Sequence, residues 1–171
     1  MIDVAFYAAA AIAVLATVLV ITRSQPVHAL LYFVVSLFAV GVLFLLLGAP
    51  FAAVLEVIVY AGAIMVLFVF VVMLLNLAPA TVEREHAWLS PGVWLGPSVL
   101  AAALLLELGY VLLRAPASAA GTEAVGPHRV ATTLLGPYLL AVELASMLLL
   151  AGMVGAYHLG RRELPGRGSN R

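Results

Sequence analysis

Five stretches of this 171-residue chain are apolar over about the length of a membrane helix: residues 3–22, 27–48, 52–77, 92–114 and 136–159. A bilayer core about 30 Å thick takes roughly 20 helical residues, so each stretch predicts one crossing. The polar breaks between them have the chemistry of helix ends. Arg23-Ser24-Gln25-Pro26 closes the first stretch, and Pro26 is suited to the first turn of the next helix. Gly48-Ala49-Pro50 predicts a tight turn, Ala78-Pro79 opens the polar connection TVEREHAWLS, and Ser90-Pro91 reads as an N-cap followed by proline. The segment from Ala115 to Leu135, rich in Ala, Gly, Ser and Thr, is expected to be a long exposed loop. The expected architecture is therefore all-α: one five-helix transmembrane domain over residues 1–160 and a polar tail over 161–171, without internal repeat.

Composition agrees with this pattern. Hydrophobic residues make up 65% of the chain, charged residues only 9%, and the mean hydropathy is +1.20. A soluble domain is nearer to half apolar. Net charge is zero and no basic patch exists to displace counterions from phosphates, which argues against a nucleic-acid partner. The absence of cysteine excludes disulfides, thiolate metal ligands and Cys-ligated iron–sulfur clusters within the chain. The first stretch carries Asp3 where a secretory signal has Lys or Arg, and it is long enough to span, so a retained first helix is expected. With the N-terminus on the periplasmic side, Arg23, Arg84, Arg161, Arg162, Arg167 and Arg171 fall inside and only Arg114 and Arg129 outside. The positive-inside rule then predicts a cytoplasmic C-terminus. Trp88, Trp94, Tyr138 and Tyr157 fall near the span ends, where amphipathic rings sit at the interface.

Against this background the third stretch stands out. EVIVYAGAIMVLFVFVVMLLN contains a carboxyl at Glu56, a phenol at Tyr60 and a flexible point at Ala61-Gly62-Ala63. Glu56 and Tyr60 are four apart, and a helix would stack them on one face, where they can share a polar strip or a water. Polar groups at membrane depth are costly and mark function by default. Counting at the helical rise puts Glu56 about 13 Å from the middle of its span, and Glu107 and Glu143 about 6 Å from theirs. Two readings of Glu56 stay open: an interfacial residue bonding a neighbouring helix cap, or a proton-handling group. Glu143 must pair or take up a proton, and with no Lys or Arg at its depth in another span its partner is expected in another subunit. For Glu107 a structural role is favoured. Small residues four apart (Ala141 with Ala145, Ala151 with Gly155, Gly152 with Ala156), together with Ala8 to Ala11, Ala13 and Ala16, suit close helix packing. The histidines lack metal-ligand spacing, and neither a phosphate-binding loop nor a hydrolase elbow is present.

Three motifs, TRSQPVHALLYFVVSL, EVIVYAGAIMVLFVFVVMLLN and LLGPYLLAVELASMLLLAG, closely resemble a known family. It is the family of subunit J of bacterial proton-pumping NADH–quinone oxidoreductase, respiratory complex I, whose mitochondrial counterpart is NADH dehydrogenase subunit 6. The resemblance extends to about Gly160; the segment from Ala115 to Val130 and the tail carry no motif, and no role is carried onto Glu107. It implies a multi-pass subunit of the bacterial inner membrane, packed beside subunits A, K and H. It also implies that flavin, iron–sulfur clusters, NADH and quinone are bound by other subunits, with no cofactor in this chain.

The resemblance further implies a π-bulge around Tyr60, Ala61 and Gly62. This bulge would switch to a regular α-helix, making or breaking a water path between acids on the quinone side and a glutamate of subunit K. The proton path or gate is then assigned to Tyr60, Ala61, Gly62, Ala63, Glu56 and Glu143. The residues suit that role: Gly62 lowers the steric cost of a register change, Ala61 and Ala63 leave room, and Val66 to Phe70 would sweep bulky side chains across an interface. Two competing readings remain, a purely structural assembly subunit and an independent small transporter. The transporter reading lacks the repeat symmetry and convergent polar groups common in such proteins.

Overall fold

Why the described elements are all helices follows from the solvent their apolar faces suit. In hydrocarbon every backbone N–H and C=O must be satisfied within the segment, and a helix does this locally. The computed structural model describes residues 2–23, 25–75, 91–114 and 124–161. Its helices are α1 (Ile2–Thr22), α2 (Pro26–Leu46), α3 (Pro50–Leu55), a π-helical stretch (Glu56–Ile64), α4 (Met65–Leu75), α5 (Pro91–Arg114), α6 (Pro127–Leu134) and α7 (Leu139–Gly160). With α3, the π-helical stretch and α4 counted as one continuous span, five helices are long and apolar enough to cross a membrane. All five expected crossings are therefore found. Residues 76 and 77 of the expected third span, Trp88, the outer part of the connecting segment and the tail beyond Arg161 lie outside the described residues.

The expected helix ends have specific chemistry. Pro26 and Pro50 both sit in the first turn of their helices, where a missing N–H costs nothing. At the end of α2, Gly48 adopts φ 77°, the left-handed conformation that only glycine takes without strain. The Gly48 and Ala49 N–H groups bond back to the Leu45 and Phe44 carbonyls at 3.1 and 2.9 Å, capping orphan carbonyls of the last turn. One expectation fails. The segment from Ala115 to Leu135 is not a loop throughout, because Pro127–Leu134 forms α6. Pro127 starts it, and the Thr132 and Thr133 hydroxyls donate to the His128 and Arg129 carbonyls at 3.0 and 2.8 Å. Back-bonding of this kind satisfies the hydroxyls inside the helix, so the Thr-rich composition does not forbid it.

The chain clusters into two compact units, Met1–Gly126 and Pro127–Arg171. In the first, α2 is the hub, touching α1, α3, the π-helical stretch, α4 and α5. Its contact with α1 is built on alanine: Ala5, Ala9, Ala13 and Ala16 are buried, and Ala9 and Ala39 are both 0% exposed. These two join Ala13, Val42 and Leu104 of α5 in the central cluster. Methyl-sized side chains let two backbones approach, and dispersion over the close contact replaces the hydrophobic drive that lipid removes. Ala8 and Ala11, equally small, face outward.

One polar clasp crosses this apolar contact. The Thr17 and Ser36 hydroxyls are 2.8 Å apart, Thr17 also donates to the Ala13 carbonyl at 2.8 Å, and Ser36 is buried. Interhelical hydrogen bonds in membrane proteins contribute on average about 0.6 kcal/mol and up to about 1.7. Thr17→Val, which keeps the shape, is expected to destabilise the α1–α2 pair by about 1 kcal/mol. A thermal-denaturation series with Thr17→Val, Ser36→Ala and the double variant checks this. Strictly additive losses would mean that the two hydroxyls do not act as a pair.

Candidate functional site: a π-helical stretch in the third span

The third span begins as an ordinary helix at Pro50 and changes ladder at Glu56, where it becomes π-helical until Ile64. Each N–H in that register reaches the carbonyl five residues back, which accommodates an extra residue per bulge and is frequent at functional sites. The wide ladder persists to its end: the Met65 N–H bonds to the Tyr60 carbonyl. The stretch EVIVYAGAI thus contains Glu56, Tyr60, Ala61, Gly62 and Ala63 in one irregular segment of nine residues.

The surroundings of these residues differ. Glu56 and Val57 are half-buried against α2. A methyl built at the buried Gly41 of α2 would meet Val57 Cγ2 at 3.6 Å, the Ala53 carbonyl at 3.7 Å and Glu56 Cγ at 4.0 Å. Gly41 is therefore the floor on which the α3–π junction rests, a role its sequence context gave no reason to assign. Tyr60 is 51% exposed and points away from that floor, so Glu56 and Tyr60, although four apart, have different environments. At Gly62 a methyl would lie 3.3 Å from the Val57 carbonyl oxygen, the fifth carbonyl back, which is tight. Substitution at Gly62 thus presses on the π ladder itself.

Beyond the stretch, packing departs from what sequence suggests. The bulky run Val66 to Phe70 is outward-facing in its unit, every member at least 45% exposed. The residue that locks the end of the stretch is Met65, only 2% exposed and the largest fully buried side chain among the described residues. A one-residue change of register turns the following helix by about 100°. Such a turn would lift Met65 from its seat, so the two registers are separated by a discrete repacking step.

The other membrane carboxyls lie elsewhere. Glu107 of α5 has both carboxylate oxygens buried, beside the Ala9 backbone of α1. Glu143 lies on α7, none of whose side chains is buried in its unit. The Ser146 hydroxyl donates to the Glu143 carbonyl at 2.7 Å, leaving the carboxyl itself outward. Added methyls at Gly152 and Gly155 of α7 would meet nothing, so the small-residue rows anticipated there have no partner among the described residues of their own unit. No group of three or more His, Asp or Glu side chains that could hold a metal occurs among the described residues.

These features define a multi-pass membrane protein with carboxyls inside its spans and a break in hydrogen-bond register in one of them. The family profile described as NADH-ubiquinone/plastoquinone oxidoreductase chain 6 matches residues 16–159, and the chain belongs to that family. It is 63% identical over 162 residues to NADH-quinone oxidoreductase subunit J of Pseudomonas aeruginosa, covering 94% of this chain and 98% of that one. The corresponding subunit J of Escherichia coli K12 is 54% identical over 164 residues, covering 96% of this chain and 89% of its own length. A Buchnera aphidicola subunit J is 42% identical over 158 residues, 92% of this chain and 97% of that one.

Proposed function

We propose that this chain is the J subunit of a proton-translocating NADH–quinone oxidoreductase in a bacterial inner membrane, and that its π-helical stretch gates a proton path. The observation that carries the gate is the nine-residue π-helical segment Glu56–Ile64 inside an otherwise α-helical span. It has a glycine at the tight point and a single buried anchor, Met65, at its end. In the π register Tyr60 faces outward from this chain, toward whatever packs there. In the α register the helix beyond would turn, and the polar groups on that side would be re-sorted. A water chain that needs Tyr60 at one position is then made in one register and broken in the other. The energy for the switch comes from the redox reaction, and flavin, iron–sulfur clusters, NADH and quinone reside in other subunits.

The outward faces support packing in an assembly. Each within its own unit, Tyr60, the run from Val66 to Phe70 and the Leu, Met and Val side chains of α7 present large apolar surfaces outward. The subunits equivalent to A, K and H are the partners proposed for them. The arginine distribution supports a periplasmic N-terminus and a cytoplasmic C-terminus. Glu143, outward on α7 without a cation at its depth in this chain, takes its partner from a neighbouring subunit.

Tyr60→Phe, Glu56→Gln and Glu143→Gln keep side-chain shape while removing one polar function each. In the purified, reconstituted complex, Tyr60→Phe is expected to slow quinone-coupled proton uptake several-fold with assembly intact. At least one of the two glutamine variants should do the same, since an amide cannot take up and release the proton that a carboxyl carries. Wild-type proton-to-electron ratios and rates in all three would reject the proposed path and leave a structural role for the stretch.

A further inference from the structure

We propose that a crevice between α1, α2 and α5, at the end where α1 stops and the other two begin, binds one anionic phospholipid. It has a volume of about 530 Å³, within the roughly 300–1,000 Å³ of pockets that hold organic ligands. Its chemistry is divided as a lipid is divided. Leu15 and Leu19 of α1 form one apolar wall, and Leu95, Val99 and Leu100 of α5 form the other. At the helix ends, the level of the membrane interface, stand Arg23 and His28, with Tyr32 between them and the apolar walls. Among the described residues no carboxylate lines the crevice.

Three observations select an anionic headgroup. The Arg23 guanidinium carbon lies 5.5 Å from the centroid of the Tyr32 ring, and Tyr32 is itself buried, so the cation has a fixed station at the mouth. His28 Nε2 is buried and has no hydrogen-bond partner among the described residues. A polar atom left in that state is costly, and a small turn of the ring toward the crevice it lines would let a phosphate oxygen accept its N–H. The first turn of α2 adds its own attraction, since the N-cap Gln25 makes no side-chain cap and the dipole of a 21-residue helix ends there. The apolar walls then select a lipid over free phosphate, because a soluble anion would leave both leucine-rich faces unfilled.

Tyr32 also shapes the crevice. Its hydroxyl reaches so close to Gly96 that a methyl there would collide with it. That close approach fixes the ring on which Arg23 rests.

The test uses the assembled membrane complex containing this chain, equilibrated with phosphatidylglycerol carrying a diazirine on one acyl chain, then irradiated and mapped by peptide mass spectrometry. Adducts are expected on residues 15–23 and 95–100, with the same probe built on phosphatidylcholine labelling them more weakly. Arg23→Gln should lower phosphatidylglycerol labelling roughly tenfold, the loss of one charge-assisted contact, whereas Arg23→Lys should retain most of it. Leu19→Trp, which fills the crevice while leaving the cation in place, should abolish labelling by both probes and covers the case in which Arg23→Gln fails to assemble. Absence of adducts in both segments would mean that another subunit's helix or nothing occupies the crevice. Equal labelling by the two probes, or labelling indifferent to both Arg23→Gln and Leu19→Trp, would equally overturn the proposal.

Discussion

Gly62→Leu is expected to leave the complex assembled and its NADH oxidation measurable while sharply lowering the protons moved per electron pair. The reason is local. In the π register a first side-chain carbon at this position sits 3.3 Å from the Val57 carbonyl oxygen, and that carbonyl is the fifth back, the one the π ladder uses. Overpacking of this kind costs about 1–3 kcal/mol. A bias of about 2 kcal/mol shifts a two-state equilibrium roughly 30-fold, enough to trap a gate whose registers are nearly balanced. Assembly should survive because position 62 is exposed in this chain and carries none of its core. Gly62→Ala should give a milder version of the same defect. Proton uptake and quinone reduction measured together in proteoliposomes decide the matter: an assembled Gly62→Leu complex with the wild-type ratio would remove the π-helical stretch as a gate.

The same replacement on the opposite side should have a different outcome. Gly41→Leu is expected to abolish the assembled complex rather than uncouple it. A first carbon at Gly41 fits, with neighbours at 3.6 to 4.0 Å, but three further carbons must displace Val57, Glu56 and the Ala53 backbone together. That pushes α3 and the start of the π-helical stretch off α2, the helix on which the first unit is organised. Overpacked cores lose about 1–3 kcal/mol or more, and here the loss falls on a fold with few buried side chains to spare. Native gels of solubilised membranes, probed for this chain, should show little or none of it in the full-size complex, whereas Gly41→Ala should assemble. Normal assembly of Gly41→Leu would mean that the α2 contact with the junction is loose.

Much of the architecture was legible from residue order. Each span is set by an apolar run of the length a bilayer demands, and Pro26, Gly48 and Pro50 punctuate the runs because their backbone restrictions are local. The irregular stretch around Tyr60 and Gly62 was implied only by the family resemblance, and neither its presence nor its extent from Glu56 to Ile64 follows from residue order alone. α6 was missed because its Thr and Ala content resembles a loop until the hydroxyls are seen bonding backward along the helix.

What residue order could not give is which side of each helix faces inward. A soluble helix announces its buried face by contrast with its polar one, but these helices are apolar all round, so no such contrast exists. Ala9 and Ala13 became core while Ala8 and Ala11 did not, although all four are identical side chains. Met65 became the buried anchor, while the bulkier Phe68 and Phe70 faced outward. Residue order is enough for five stretches long and apolar enough to cross a membrane, for the turns at Pro26 and Gly48 and for the family resemblance, because length, hydropathy and proline or glycine geometry act locally. Helix packing is what sets Gly41 under the π junction, joins Thr17 to Ser36, and brings Arg23, Tyr32 and His28 to one crevice. Those outcomes depend on steric fit between helices distant in sequence, and in an apolar solvent steric fit is what selects one packing from many.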